Sequence, residues 1–183
     1  MLACATFCSI AYDKSWLIAC QATKRLQVMA ARYQDLAGDA VPVRGQPGVE
    51  VRVFSGASGG VTAPTKNFVP VTMVEVRLDL GASVGQDLPA DYNAVIVVLE
   101  GEAAIGAEAK FVTAGDVAWL TRGDGGKASE VAIRAQDKPL RALLYAGRPL
   151  HEAVVGRGPF VMNTEAEIEQ AYADYRAGRF GPI

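Results

Sequence analysis

The sequence predicts an all-β sandwich or barrel followed by a single C-terminal helix. From Gly48 onward, short apolar runs alternate with Gly and Pro, which is typical of many short strands joined by tight turns. Residues 49–54 alternate apolar and polar side chains with a period of two, as a half-buried strand does. Half of the 183 residues are hydrophobic, so one domain of this size can bury a sizeable core.

The strands follow one another at regular intervals after the first. Residues 55–60 form a Gly- and Ser-rich loop. Residues 94–99 are a continuous apolar run that predicts a fully buried strand, and Gly101 lies in the turn that follows it. Further strands are predicted at residues 69–80, 103–105, 111–112, 117–120, 131–134 and 140–145.

The helix is predicted near the C-terminus from its capping signals. Thr164 precedes it and Glu167 comes three residues later, which makes a capping box. Apolar side chains then recur with helical spacing, and Gly178 is a natural stop. The apolar residues that share this face are Ile168, Ala171, Tyr172 and Tyr175.

Charge and apolar patterning exclude several classes of partner. The formal net charge is −2 and no basic stripe is present, so we expect no direct binding to nucleic acid. The apolar stretch at residues 1–10 is interrupted by Asp13 and Lys14 before it could span a bilayer, so we expect no membrane insertion.

The N-terminal segment differs from the rest of the chain. It holds all three cysteines, Cys4, Cys8 and Cys20, which we interpret as free thiols of a reducing compartment, the cytoplasm or nucleus. Because basic residues follow at Lys24 and Arg25, an organelle transit peptide is an alternative, and a mis-assigned gene start is another.

The histidine count bears directly on metal chemistry. A non-haem iron site needs several imidazole or carboxylate ligands that converge on one point, and the only histidine here is His151. His151 follows Pro149-Leu150 and has only Glu152 beside it, so we interpret it as a surface or linker histidine. No phosphate loop or hydrolase nucleophile motif is present. We therefore expect no metal, no cofactor and no catalytic residue.

The glycines and the strands between them resemble the two conserved motifs of the cupin jelly roll. Counted from Gly81, the metal-ligand positions of the first motif fall on Asp87, Pro89 and Ala94, and its final glycine is Gly101. The second motif begins at Gly115, and its histidine would fall between Gly126 and Ala128. The resemblance therefore implies a cupin-type jelly-roll β-barrel or sandwich with degenerate ligand positions at Asp87, Pro89, Ala94 and Ala128.

A closer resemblance, to the pirin family, covers residues 26–181. It is carried by Ala171 to Gly181, by Arg32 to Leu36, and above all by a C-terminal string that we call the 158–164 segment: Gly158, Pro159, Phe160, Val161, Met162, Asn163 and Thr164. The resemblance implies a two-domain bicupin whose N-terminal cupin holds iron through histidines and a glutamate. The family is associated with quercetin dioxygenase activity and with nuclear transcription cofactors.

This chain resembles the C-terminal cupin half, so none of the family's iron ligands can be carried over. We expect an atypical N-terminal segment (1–25), a segment similar to the interdomain linker (26–47) and a C-terminal cupin domain with its helix (48–183). Two features could serve binding. The 158–164 segment could dock onto a second cupin domain, another protein or a second copy, or simply pack against the barrel. Phe68, Tyr92 and Trp119 could line a pocket, or be plain core.

The preferred function is accordingly a metal-free, non-enzymatic interaction or regulatory module. One alternative is part of a quercetin dioxygenase whose iron-binding half is encoded elsewhere. Another is a cupin that binds a small apolar ligand.

Overall fold

The computed structural model describes residues 7–8, 18–19, 34–67, 69–121, 128–149 and 151–179. The chain divides into two compact units, which are residues 36–149, here called the sandwich unit, and residues 1–35 with 150–183, here called the terminal unit. The strands formed by the described residues are β1 (Phe7–Cys8), β2 (Ile18–Ala19), β3 (Val43–Gln46), β4 (Val49–Ser55), β5 (Ala57–Ser58), β6 (Val61–Thr62), β7 (Val71–Leu78), β8 (Ser83–Pro89), β9 (Asn93–Glu100), β10 (Glu102–Ile105), β11 (Lys110–Thr113), β12 (Val117–Leu120), β13 (Ala128–Ala135), β14 (Leu140–Gly147), β15 (Val155–Arg157) and β16 (Phe160–Met162). The helix α1 spans Glu165–Arg176.

The sandwich unit consists of two antiparallel sheets. One has four strands in the order β11-β10-β13-β8, and the other has six in the order β12-β9-β14-β7-β4-β3. The short hairpin β5–β6 pairs separately. Sequence neighbours are often not sheet neighbours, since β8 pairs with β13 and β9 pairs with β14. This arrangement confirms the prediction of an all-β cupin-type sandwich with a C-terminal helix.

The core lies between the two sheets because each strand turns alternate side chains inward. In β14, Leu140, Ala142, Leu144 and Ala146 are buried and the residues between them are half-buried. The same alternation runs through β9, where Ala94, Ile96 and Val98 are buried. Successive side chains of a strand point to opposite faces, so a period of two produces one apolar inner face per sheet.

The turn between β9 and β10 requires glycine. Gly101 has φ +82°, a region that favours glycine, and a Cβ there would lie 1.9 Å from the carbonyl oxygen of Pro139. This close approach explains why the glycine that ends the first motif stands at that position.

In the terminal unit, β15 pairs with β16 and α1 follows directly. The predicted capping box is confirmed, because Thr164 Oγ1 accepts a hydrogen bond from the Glu167 N–H and the Glu167 carboxylate accepts one from the Thr164 N–H. Ile168 and Ala171 form the buried face of the helix, whereas Tyr175 is exposed. Gly178 has φ +66°, as expected for a residue that follows a helix end.

Several strands lie outside the predicted ones. β3 falls within the segment assigned to the interdomain linker, so the sheet begins earlier than residue 48. β5 occupies part of the predicted loop at 55–60, and β15 and β16 flank Gly158. β8 was not predicted as a strand, because Gly85 and Pro89 weaken its strand signal. Beyond the pairing of β1 with β2, the N-terminal segment 1–25 lies outside the described residues.

Candidate functional site

Strand β8 contains two of the ligand positions counted from Gly81, Asp87 and Pro89. Val84, Gln86 and Leu88 are buried, and Val84 and Leu88 belong to the core cluster. Asp87 and Pro89 are exposed on the opposite face of the strand. Asp87 and Pro89 are therefore each displaced by one residue from an inward-facing position, and in a strand one residue reverses the direction of the side chain.

The other two ligand positions lie on β9 and β13. Ala94 is buried in the core cluster, and Ala128 pairs with Pro89 in the β13–β8 ladder. Residues 122–127, which precede Ala128 in the second motif, lie outside the described residues. Ala118 and Leu120 of β12 pack against the core from the motif's strand. The side chains placed here are thus mostly short or branched hydrocarbons.

Gln86 is the polar exception on this inner face. Its side chain is 1% exposed, and its Nε2 donates hydrogen bonds to the carbonyl oxygens of Ala57 at 3.0 Å and Asp87 at 2.9 Å. Among the described residues, its buried Oε1 has no hydrogen-bond partner. Sequence reasoning missed this residue, although its position two residues from both Val84 and Leu88 was a usable signal. The free oxygen can accept one hydrogen bond.

Iron, which the resemblance places in the other cupin half, does not fit the donor set described here. Non-haem iron is held by imidazole nitrogens and carboxylate oxygens. In the part of the chain that the structure describes, no group of three or more His, Cys, Asp or Glu side chains could hold a metal ion. The inward-facing donor on β8 is a neutral carboxamide, and the carboxylate of Asp87 points away from the core.

The predicted pocket-lining aromatics that the structure describes, Trp119 and Tyr92, differ in their exposure. Trp119 is 79% exposed and lies on the outer face of β12, so it does not line the interior. The reason is again alternation, since its neighbours Ala118 and Leu120 take the inward positions. Tyr92 is half-buried against the core, and this burial raises the pKa of its hydroxyl, as Asp91 does, while Arg148 opposes the rise. Phe68 lies outside the described residues.

The 158–164 segment folds back onto the helix of its own unit. The Phe160 ring meets Tyr172 edge-on at 5.0 Å and Tyr175 at 6.3 Å between centroids. Asn163 Nδ2 donates hydrogen bonds to the Ala153 carbonyl and the Glu152 carboxylate. Val161 is exposed, as are Gly158, Pro159 and Thr164, whereas Phe160, Met162 and Asn163 are half-buried.

One further candidate position, His151, lies outside the 158–164 segment. His151 is exposed, in agreement with a surface or linker position, and its φ of +53° is uncommon for a residue other than glycine. In the described part of the chain, no helix combines the length and the apolar character needed to cross a bilayer.

Comparison with known proteins agrees with this fold. The family described as "Pirin C-terminal cupin domain" matches residues 73–181. Pirin-like protein 2 of Arabidopsis thaliana is 34% identical over 85% of this chain and 49% of its own length. A putative quercetin 2,3-dioxygenase of Vibrio cholerae is 36% identical over 85% of this chain and 55% of its own. The chain thus spans about half the length of the curated relatives it matches.

Solved structures show the same relationship. A protein of Geobacillus kaustophilus is 42% identical and superposes with a TM-score of 0.70, covering 76% of this chain and 55% of that one. A quercetin 2,3-dioxygenase from Acinetobacter baumannii is 28% identical with a TM-score of 0.76, covering 87% of this chain and 54% of that one.

Proposed function

Because the chain belongs to the pirin family, through its match to the C-terminal cupin domain, we propose that it is a metal-free, non-catalytic cupin module that binds a partner domain. The inner face of β8 carries the proposal. Val84, Gln86 and Leu88 point into the core where a cupin metal would be held, and neither imidazole nor carboxylate is among them.

Metal analysis of the purified protein tests the first half of this proposal. The protein is incubated with ferrous iron under anaerobic conditions, passed through a desalting column and measured by inductively coupled plasma mass spectrometry. We expect far less than one iron per chain. Stoichiometric iron that survives desalting would overturn the proposal, and a Gln86→Ala variant would then show whether the inner face of β8 holds it.

We propose that the partner is a second cupin domain, bound through the 158–164 segment and its surroundings in the terminal unit. Val161 and Val154 expose large apolar side chains there, and Tyr175 exposes an aromatic ring. Exposed apolar side chains of this kind gain free energy when a partner surface buries them. The ring contact with Tyr172 holds Phe160 against α1, so the 158–164 segment is anchored to the helix when it meets a partner.

Co-expression tests this part of the proposal. The probe is the portion of the Vibrio cholerae relative that lies outside its match to this chain. We expect a stoichiometric complex that Val161→Lys weakens and Phe111→Lys, on the exposed face of a strand in the sandwich unit, leaves unchanged. Two soluble, folded proteins that do not associate at micromolar concentrations would contradict it.

A catalytic function is the second candidate, favoured by the names of the relatives. The Vibrio cholerae and Pseudomonas aeruginosa relatives are both called putative quercetin 2,3-dioxygenases. Oxygen uptake with quercetin, measured with and without added ferrous iron, separates the two candidates. Turnover by this chain alone would replace the non-catalytic proposal with the enzymatic one.

A further inference from the structure

Strand β12 forms one end of the six-stranded sheet. Among the described residues it pairs with β9 alone, in the register Val117↔Val97, Ala118↔Ile96, Trp119↔Val95 and Leu120↔Ala94. An edge strand presents a row of unpaired backbone N–H and C=O groups, which is a template for pairing with another strand. Proteins usually protect such edges with charged residues or proline, and β12, with the sequence Val-Ala-Trp-Leu, contains neither.

The ladder identifies which backbone groups lie on the open side. The N–H of Val98 donates to the Asp116 carbonyl at 3.1 Å, and its carbonyl accepts from the Gly115 N–H at 2.9 Å. In an antiparallel pair, alternate residues direct their backbone groups toward the same neighbour. Ile96 and Ala94 therefore bond with Ala118 and Leu120, which leaves the N–H and C=O of Val117 and Trp119 directed away from β9.

The same two residues also present exposed apolar side chains. Val117 is 49% exposed and Trp119 is 79% exposed. The apolar row continues across the outer face of the sheet, since Trp119 pairs with Val95 and Val95 pairs with Tyr145. We call the side chains of Val117 and Trp119, with their backbone groups that point away from β9 and that no described strand pairs with, the β12 edge.

We propose that the β12 edge binds the β12 edge of a second copy of this chain, as an antiparallel pair with a two-fold axis at Ala118. In this register Val117 of one copy lies opposite Trp119 of the other. Each such pair exchanges two backbone hydrogen bonds, because both residues direct their N–H and C=O outward. The two six-stranded sheets then become continuous, and each Trp119 packs on the partner copy's valine side chain.

A second copy suits this edge because the edge is neutral and self-complementary. The nearest acidic residue is Asp116, whose carboxylate accepts hydrogen bonds from the Thr113 N–H at 2.8 Å and its hydroxyl at 3.3 Å. Two-fold pairing about Ala118 separates the two Asp116 residues by about 13 Å along the strands, so their charges do not meet. The strand requires no partner of opposite charge.

The small size of the edge determines how strong the dimer is. A tryptophan side chain buries about 150–250 Å², whereas a standard stable interface buries about 800 Å² on each partner. Backbone hydrogen bonds add to the apolar contact, but four residues of strand cannot bury a standard interface area. We therefore expect a dimer with a dissociation constant on the order of micromolar.

Sedimentation equilibrium of the whole chain tests the proposal. We expect dimers to form at about 100 µM chain. Val117→Lys and Trp119→Lys should each raise the dissociation constant by about tenfold or more, because a lysine on an edge strand opposes pairing. The matched control is Val43→Lys, at a similarly exposed position on β3, the opposite edge of the same sheet.

The thermal midpoints of all variants show that they are folded. A chain that stays monomeric at about 100 µM would overturn the proposal. So would a dimer that Val43→Lys disrupts and both β12 variants leave intact.

A cross-link tests the register independently. Ala118 would face its own counterpart at a position without direct hydrogen bonds, where Cα atoms lie about 4.5 Å apart, within disulfide range. In a background in which Cys4, Cys8 and Cys20 are serine, Ala118→Cys should give a covalent dimer under mild oxidation. The control, Leu120→Cys in the same background, should not, and equal cross-linking of both would contradict the two-fold at Ala118.

Discussion

Arg141 Nε lies 2.6 Å from Glu75 Oε1, on the outer face of the six-stranded sheet, where the Glu75 side chain is only 4% exposed. Arg77 Nη2 approaches the same carboxylate at 3.2 Å, and Arg141 Nη1 also donates to Glu100 at 3.1 Å. The hydrogen bond to Glu75 raises the pKa of Arg141, as do its contacts with Glu100. A buried carboxylate is tolerated here because two guanidinium groups hold it, Arg77 from the same strand β7 and Arg141 from the neighbouring strand β14.

Arg141→Met should lower the free energy of unfolding by about 1–3 kcal/mol, because the buried Glu75 carboxylate would lose a charged hydrogen bond but keep its contact with Arg77. Urea unfolding at neutral pH measures the change. Lys138→Met is the control, since Lys138 pairs with Glu102 at 2.7 Å but is mostly exposed. That substitution should leave the free energy of unfolding nearly unchanged, because an exposed ion pair adds little to stability. If both variants lost the same free energy of unfolding, the burial of Glu75 would add nothing to the strength of its ion pair with Arg141.

Gly101→Ala should destabilise the sandwich unit by about 2–5 kcal/mol, through strained backbone plus a clash with the Pro139 carbonyl. Gly106→Ala is a close control, because Gly106 has φ +75° but nothing within 4 Å of its ideal Cβ position. Its cost should be the backbone strain of about 1–2 kcal/mol alone. Thermal unfolding of both variants separates the two costs, because only Gly101→Ala adds the clash with Pro139 to the backbone strain. Similar midpoints for the two variants would refute the clash.

Thr164→Ala should loosen the first turn of α1 by about 0.5–2 kcal/mol, because the Glu167 N–H would lose its side-chain acceptor. Hydrogen exchange of the amides in the first turn measures this local effect directly. Glu169→Ala, at an exposed position of the same helix, serves as the control. Exchange rates that rise equally in both variants would argue against a capping role for Thr164.

Tyr145→Phe should increase stability at alkaline pH and leave it nearly unchanged at pH 7. Burial on the sheet raises the pKa of the Tyr145 hydroxyl above its ordinary value of 10.0. A raised pKa in the folded state means that stability is complete below pH 10 and falls as the pH rises above it toward the folded-state value. Urea unfolding from pH 8 to 11 tests this, with exposed Tyr175→Phe as the control. An unchanged alkaline slope in Tyr145→Phe would contradict the prediction.

The strands with a clear period of two were predictable from local sequence. Residues 117–120 were predicted with the bounds that β12 has, and the capped helix was predicted from Thr164 and Glu167. Both signals involve residues that are close together in the chain, so the sequence alone is enough to show them. β3 and β8 were missed because Gly, Pro and polar residues occupy them, and pairing with β4 and β13 is what makes them strands.

The face that a residue occupies was harder to predict than the element that contains it. Asp87 was counted as a ligand position and Trp119 as a pocket residue, and both point outward. Gln86, which faces inward with a free Oε1, carried no motif to mark it. Successive residues of a strand point to opposite faces, so the bounds of a strand do not by themselves say which of its two faces turns inward.

The sequence by itself determined the fold class, the family resemblance and the scarcity of imidazole ligands, because these depend on composition, periodicity and short motifs. Only the tertiary structure decided that β12 lies at a sheet edge, that Trp119 lies on its outer face and that Glu75 is buried between two arginines. Those features arise from strand order and register, which join residues far apart in the chain and leave no local pattern.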